Sequence, residues 1–243
     1  MGLPKIALPE YSLKLPSTGE EIKYRPFLVK EEKILLMAME SENAAEITKA
    51  LKEIVHTCTF GTINVDMLPT FDLEYIFLNV RAKSVGEVAK LKLLCPDDKK
   101  TYANVDLDLS KVEVQVDDKH SNEIQINDKI KMVMKYPTIN SFDPTIDATK
   151  LKTEQLFDII ADTVYEIYEG ETVHKGSDYT KEEMKKFIES LTSDHFAKIQ
   201  QFFNTMPRLQ HELEVENPIT KVKSKVVLSG LQSFFVSPSH TTT

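Results

Sequence analysis

Cys95-Pro96-Asp97-Asp98, set between two lysine-rich strands, has the outline of the knuckle turn in which a zinc ribbon places a Cys-x-x-Cys pair. The second cysteine position holds Asp98, and the other ribbon of similar outline turns at Asn217-Pro218 with no cysteine at all. A structural zinc centre draws four ligands, chiefly thiolates and imidazoles. These residues therefore read as a metal-free turn that has kept the shape of a knuckle, and no metal or cofactor is expected. His56 and Cys58 stand two apart at a helix end, where side chains diverge by about 200°, so they form no nucleophile–base pair. His120, His174, His195, His211 and His240 have no spacing partners that spell a metal or triad motif.

Carboxylates are abundant, and a glycoside hydrolase needs two of them facing across a cleft, a separation that sequence does not give. Asp72 and Glu74 interrupt an otherwise apolar run, Phe71 to Val80. Asp72 fits a position near a helix N-terminus, where the dipole favours a carboxylate; the alternative for both acids is an ion pair with a partner. Phe234-Phe235 and Phe202-Phe203 are adjacent aromatics. In extended chain Phe234 and Phe235 point to opposite sides, so they either plug the protein's own helical half or anchor a neighbouring subunit, and Phe202-Phe203 raises the same choice on a helix.

The 243 residues are 41% hydrophobic with 12 phenylalanines, enough for a real core. The net charge of −8 and the pI near 5.4 argue against a phosphate-backbone binder. Seven glycines leave no glycine-rich phosphate loop, and two distant cysteines suit a reducing site of synthesis. No run approaches the roughly 18 apolar residues that cross a bilayer. No nucleic acid and no membrane insertion are expected.

The elements that would position these groups follow from periodicity. Tyr11, Leu13 and Leu15 alternate with polar residues, Pro16 to Gly19 turns the chain, and Ile22 to Tyr24 returns as a second strand. Helices are expected from Lys30 to about Glu40, after an Asn43 cap with Glu46 completing a box, and from Pro69 to about Lys83. The last is apolar nearly all round and so buried on most sides. Alternation then marks antiparallel strands around Ala89–Leu93, Val112–Val116 and Ile130–Tyr136. Beyond a polar connector, Leu156 to Tyr168 reads as one helical stripe ended by Gly170, Glu171 to Tyr179 as a loop, and Thr180/Glu183 and Ser193 as the caps of two more helices. A final ribbon is registered by charge about a four-residue turn, with Glu216 facing Lys221, Glu214 facing Lys223 and Glu212 facing Lys225. The fold class is α+β. An N-terminal part of helices and antiparallel ribbons spans 1–145, a helical part closed by a β-hairpin spans 146–236, and 237–243 is a polar tail with no reason to fold.

Tyr24-Arg25-Pro26-Phe27 followed by Val29-Lys30-Glu31-Glu32-Lys33 resembles the opening of the baseplate hub proteins of T4-type contractile-tailed bacteriophages. The similarity continues through Pro69 to Gly86 and closes at Leu231-Gln232-Ser233-Phe234-Phe235. The resemblance implies a non-enzymatic structural or assembly protein of the tail, made in the host cytoplasm and acting on other hub and tail proteins. Its oligomeric state stays open. Partner contacts would fall on Phe202, Phe203, Phe234, Phe235, Asp72 and Glu74. The rival readings are a tail-associated hydrolase using a carboxylate pair and a degenerate zinc-ribbon module that binds nucleic acid.

Overall fold

The computed structural model describes residues 7–142, 152–230 and 233. The chain opens with the ribbon β1 (Tyr11–Lys14) and β2 (Glu21–Tyr24), then runs through α1 (Val29–Glu40), α2 (Ala44–Cys58) and α3 (Thr70–Val85). Next come the ribbon β3 (Val88–Leu94) and β4 (Tyr102–Asp108), and the short strands β5 (Glu113–Gln115), β6 (Glu123–Gln125) and β7 (Ile130–Met134). After residue 151 follow α4 (Thr153–Thr163), β8 (Val164–Glu169), β9 (Thr172–Lys175), α5 (Lys181–Glu189) and α6 (Ser193–Thr205). The hairpin β10 (Arg208–Glu216) and β11 (Lys223–Ser229) ends the described chain. The protein is α+β, and every strand pair is antiparallel.

Three apolar clusters organise these elements. The first gathers Leu13, Ile22 and Tyr24 of the opening ribbon, Ile54, Val55 and Cys58 of α2, and Leu73, Ile76, Phe77 and Val80 of α3. The second takes the other side of α3, Leu78 and Ala82, and covers it with Leu91, Leu93 and Leu107 of the β3–β4 ribbon and Leu209, Val215 and Leu228 of the last hairpin. This double burial is why α3 is apolar all round. Asn43 caps α2 as its side chain suggests, accepting from the Ala45 and Glu46 amides at 2.9 and 3.4 Å.

The third cluster contains the main departure from the sequence reading. The helical stripe expected to reach Tyr168 stops at Thr163, and β8 and β9 complete the four-stranded order β6-β7-β8-β9. Val164-Tyr165-Glu166-Ile167-Tyr168 is dense in β-branched and aromatic residues, and a short apolar run cannot be told from a helical segment by period alone. Gly170, with φ +60°, makes the turn between the two strands. Gly176 is needed for closeness, because a Cβ there would lie 2.3 Å from the Val164 carbonyl oxygen. The cluster joins Ile124, Met132 and Met134 to Ile160, Val164, Ile188, Ile199 and Phe202. The sheet and this core thus draw on both sides of 145/146, and β10 pairs with β5 from before it. The final hairpin packs on α3 and the β3–β4 ribbon, so it closes the N-terminal elements more than the C-terminal helices.

The last hairpin is also registered differently from the charge-based expectation. Glu216 stands opposite Lys223 and Glu214 opposite Lys225, around the loop 217–222. The three expected ion pairs nevertheless form as diagonals, Glu216–Lys221 at 3.9 Å, Glu214–Lys223 at 2.8 Å and Glu212–Lys225 at 2.6 Å. Long side chains span a diagonal, and exposed pairs contribute at most about 1 kcal/mol each. The loop decides the register. Asn217 accepts from the Lys221 amide at 2.9 Å and donates its own amide to the Val222 carbonyl at 2.9 Å, fixing a longer turn.

Candidate functional site

The residues nearest to chemistry in the N-terminal half are tied into structure. Arg25, 7% exposed, places Nη2 2.9 Å from Glu31 Oε1 and donates from Nη1 to the Pro26 carbonyl at 2.8 Å. Glu31 Oε2 accepts from the Leu28 amide at 2.8 Å, closing the first turn of α1. Burial opposes ionisation of Glu31, but its bonds from Arg25 and Leu28 and the Arg25 charge outweigh that and hold its carboxyl below the usual range. The Arg25 amide donates to the Cys58 carbonyl at 2.9 Å. The Cys58 thiol is pushed up to about 11 by burial, so it is protonated near neutral pH and packs as a small apolar group. The Phe27 amide donates to Ser84 Oγ at 2.9 Å. One knot therefore joins the Tyr-Arg-Pro-Phe phrase, the α1 start, the end of α2 and the end of α3.

The expected partner contacts divide. Asp72 is fully buried and accepts from the Ser17 amide at 3.1 Å and from the Ser17 hydroxyl, so it fastens the ribbon turn to α3 and cannot meet a partner. Burial raises its carboxyl, against the pull of the Ser17 bonds. Glu74 is half-buried, and its Oε1 lies 3.6 Å from the point a Cβ on Gly230 would occupy, so the end of β11 passes beside it. Phe202, 2% exposed, is core, stacked on Tyr136 at 5.8 Å, with half-buried Phe203 edge-on to it at 5.2 Å. Phe234 and Phe235 lie outside the described residues.

His120, without a partner in sequence, has two in space. Its Nδ1 is 2.9 Å from Thr205 Oγ1 and its Nε2 is 3.0 Å from Tyr136 Oη. The Thr205 hydroxyl donates to the Gln201 carbonyl at 2.8 Å. Its oxygen then accepts from Nδ1–H, and in the neutral imidazole Nε2 accepts from the Tyr136 hydroxyl. Burial lowers the His120 pKa from its ordinary 6.5, with Asp117 acting weakly the other way. Below that pH the unfolded chain takes up a proton more readily than the folded one. The His120 contribution is thus complete above about pH 6.5 and is lost as pH falls through the folded value. Thermal unfolding from about pH 7 to about pH 5 should show a decline in Tm that is smaller in His120→Gln; an equal decline in both would show that this ring is not responsible.

A cavity of about 430 Å³ lies between the four-stranded sheet and α5, floored by Ile130, Ile167, Met184 and Phe187. Its polar wall is Glu169, His174, Tyr179 and Glu183. His174 joins Tyr179 Oη through Nδ1 at 2.6 Å and approaches Glu169 through Nε2 at 3.5 Å. Glu169 and Glu183 are the two acids of this wall. Glu183 is committed elsewhere: Oε2 accepts from the Thr180 amide and hydroxyl, both at 2.8 Å, as the cap of α5. The Thr180 amide and hydroxyl bonds lower its carboxyl below the usual range, the opposite of a general acid.

Among the described residues, α1 exposes three large apolar side chains, Val29, Leu36 and Met37, at 79%, 53% and 57%. Spacings of seven and eight put them on one face. Among the described residues, no group of three or more His, Cys, Asp or Glu could hold a metal ion, and no helix is long and apolar enough to cross a membrane.

The family model described as T4 bacteriophage base plate protein matches residues 8–236. No curated protein and no solved structure matches the chain. The match takes in all three apolar clusters and the Arg25–Glu31 knot, so the chain belongs to the T4 bacteriophage base plate protein family.

Proposed function

We propose that this baseplate protein is a non-enzymatic component of the baseplate hub, or a factor that assembles it, and that it acts through contacts with other tail proteins. The observation that carries this reading is the outer face of α1. Val29, Leu36 and Met37 leave apolar surface in water on the helix whose first turn the Arg25–Glu31 knot closes. Glu32 and Lys33 lie between them on the helix, and exposed apolar side chains rimmed by charge are where association energy concentrates. The cavity acids offer less to turnover, since Glu183 is held ionised as a helix cap.

A double variant, Leu36→Glu with Met37→Glu, tests the proposal. Substitutions at such exposed positions usually shift stability by no more than about 0.5 kcal/mol each, so the isolated protein should melt close to wild type. Tail assembly in infected cells should fall by about tenfold or more, with the variant missing from purified hub intermediates by mass spectrometry. Wild-type assembly from the double variant would reject α1 as the contact. Cell-wall digestion by the pure protein, abolished by Glu169→Gln, would establish the hydrolase reading instead.

A further inference from the structure

The two ribbons of similar outline meet at their tips. In the β3–β4 loop the Lys99 amide donates to the Cys95 carbonyl at 2.9 Å, and Lys99 takes φ +53°. In the β10–β11 loop the Lys221 amide donates to the Asn217 carbonyl at 2.9 Å, and Lys221 takes φ +63°. Each loop begins X-Pro, and each reaches a lysine in the left-handed region at its fifth residue. Asp98 Oδ1 accepts from the Lys100 and Thr101 amides, each at 3.0 Å. Asn217 Oδ1 accepts from the Ile219 and Thr220 amides at 2.9 and 3.2 Å. In both loops a side chain therefore receives the amides two and three residues ahead.

The loops are joined by one carboxylate. Asn217 Nδ2 donates to Asp97 Oδ1 and Oδ2 at 3.0 and 3.1 Å, and Thr220 Oγ1 donates to Asp97 Oδ2 at 2.6 Å. Asn217 is fully buried and Cys95 is 1% exposed. The Cys95 amide donates to the Thr101 carbonyl at 2.8 Å, closing the β3–β4 loop, and its thiol is raised by burial and next by the Asp97 and Asp98 charges.

We propose that these loops are the two halves of a metal-free knuckle pair, with Cys95, Asp98, Asn217 and Thr220 at the four positions from which a tetrahedral zinc ion would draw its ligands and the Asp97 carboxylate taking the place of the ion. A zinc ribbon ties two hairpins by bonding one cation to two residues from each. Here the sign is reversed: one anion accepts from Asn217 and Thr220 of the opposite loop. The amides that Asp98 and Asn217 receive are of the kind that orient and stabilise thiolate ligands from the second shell. The function of the clasp is to hold the last hairpin on the β3–β4 ribbon without a metal.

The test restores the ion. The full chain carrying Asp98→Cys, Asn217→Cys and Thr220→Cys, with the native Cys95, is titrated with cobalt(II). One equivalent per chain with the intense absorption of a tetrahedral thiolate site is expected, while the wild type gives only the weak spectrum of solvated cobalt. A folded triple variant that gives no tetrahedral spectrum would overturn the proposal. Because the apo triple variant could fail to fold, Asp97→Ala in the otherwise native chain provides the second reading. Loss of charge-assisted hydrogen bonds should speed amide exchange at 217–222 by about tenfold or more, with little change in the β1–β2 ribbon. Unchanged exchange at 217–222 would show that Asp97 ties nothing, and would overturn the clasp.

Discussion

Arg25→Ala is expected to destabilise the protein by about 3–5 kcal/mol, the cost of leaving one partner of a buried ion pair unpaired. That is a large share of the roughly 5–15 kcal/mol that holds a typical domain together. The carboxylate left behind is Glu31, whose side chain is 3% exposed and which keeps only the Leu28 amide and the well-solvated Lys30 charge. The pH dependence should reverse as well. In the native chain the Glu31 carboxyl sits below its ordinary value, so its contribution is present above that value and is lost as pH falls through the folded one. Without Arg25 the largest remaining influence is burial, which raises the carboxyl, so stability would instead fall as pH rises through the carboxylate range. Urea unfolding of Arg25→Ala at several pH values measures both effects. A loss under about 1 kcal/mol would mean that water reaches the pair. The double variant Arg25→Met with Glu31→Leu should recover part of the loss, since it removes both charges and leaves only the Leu28 amide to be satisfied.

The knot ties one segment to three helices. Arg25 bonds to Glu31 of α1 and to the Cys58 carbonyl of α2, while Ser84 of α3 accepts from the Phe27 amide. The knot closes the first turn of α1, and α1 carries the exposed apolar face to which the proposed contacts are assigned.

What the sequence makes legible is local. Alternation identified the opening ribbon and β3, and the all-round apolar run identified α3 as the central element, because period and composition are written in neighbouring residues. The charge pattern of the last hairpin named the three ion pairs correctly and the register wrongly. Those pairs are weak, and the loop that sets the register depends on Asn217, whose partner Asp97 is 120 residues away. The same blindness covers β8, whose Val-Tyr-Glu-Ile-Tyr run becomes a strand because β7 is there to pair with it. It also covers His120, whose partners Tyr136 and Thr205 come from other elements. Of the six expected partner contacts, Asp72 and Phe202 are inside the protein. An apolar or acidic residue in a helix looks the same in sequence whether its face turns inward or outward.

Separating the chain between residues 145 and 146 is expected to abolish the fold of both pieces. The first fragment would keep β6 and β7 with Ile124, Met132 and Met134, yet lose Ile160, Val164, Ile188, Ile199 and Phe202, which bury them. The second would keep α4, α5 and α6 but lose β7, the strand on which β8 aligns, with Met132 facing Ile167 and Val133 facing Glu166. The second apolar cluster is divided too, since Leu209, Val215 and Leu228 cover residues of α3 and the β3–β4 ribbon. Fully burying an aliphatic or methionine side chain contributes about 1.5–3 kcal/mol. Exposing the eight residues of the third cluster named above, Phe202 included, forfeits about 12–24 kcal/mol, as much as or more than the roughly 5–15 kcal/mol that holds a typical domain together. Fragments 1–145 and 146–243 should therefore show poorly dispersed amide spectra and no cooperative melt alone, and should regain both when mixed. A cooperative transition in either isolated fragment would show that one cluster suffices, and that the four-stranded sheet joins two units able to fold apart.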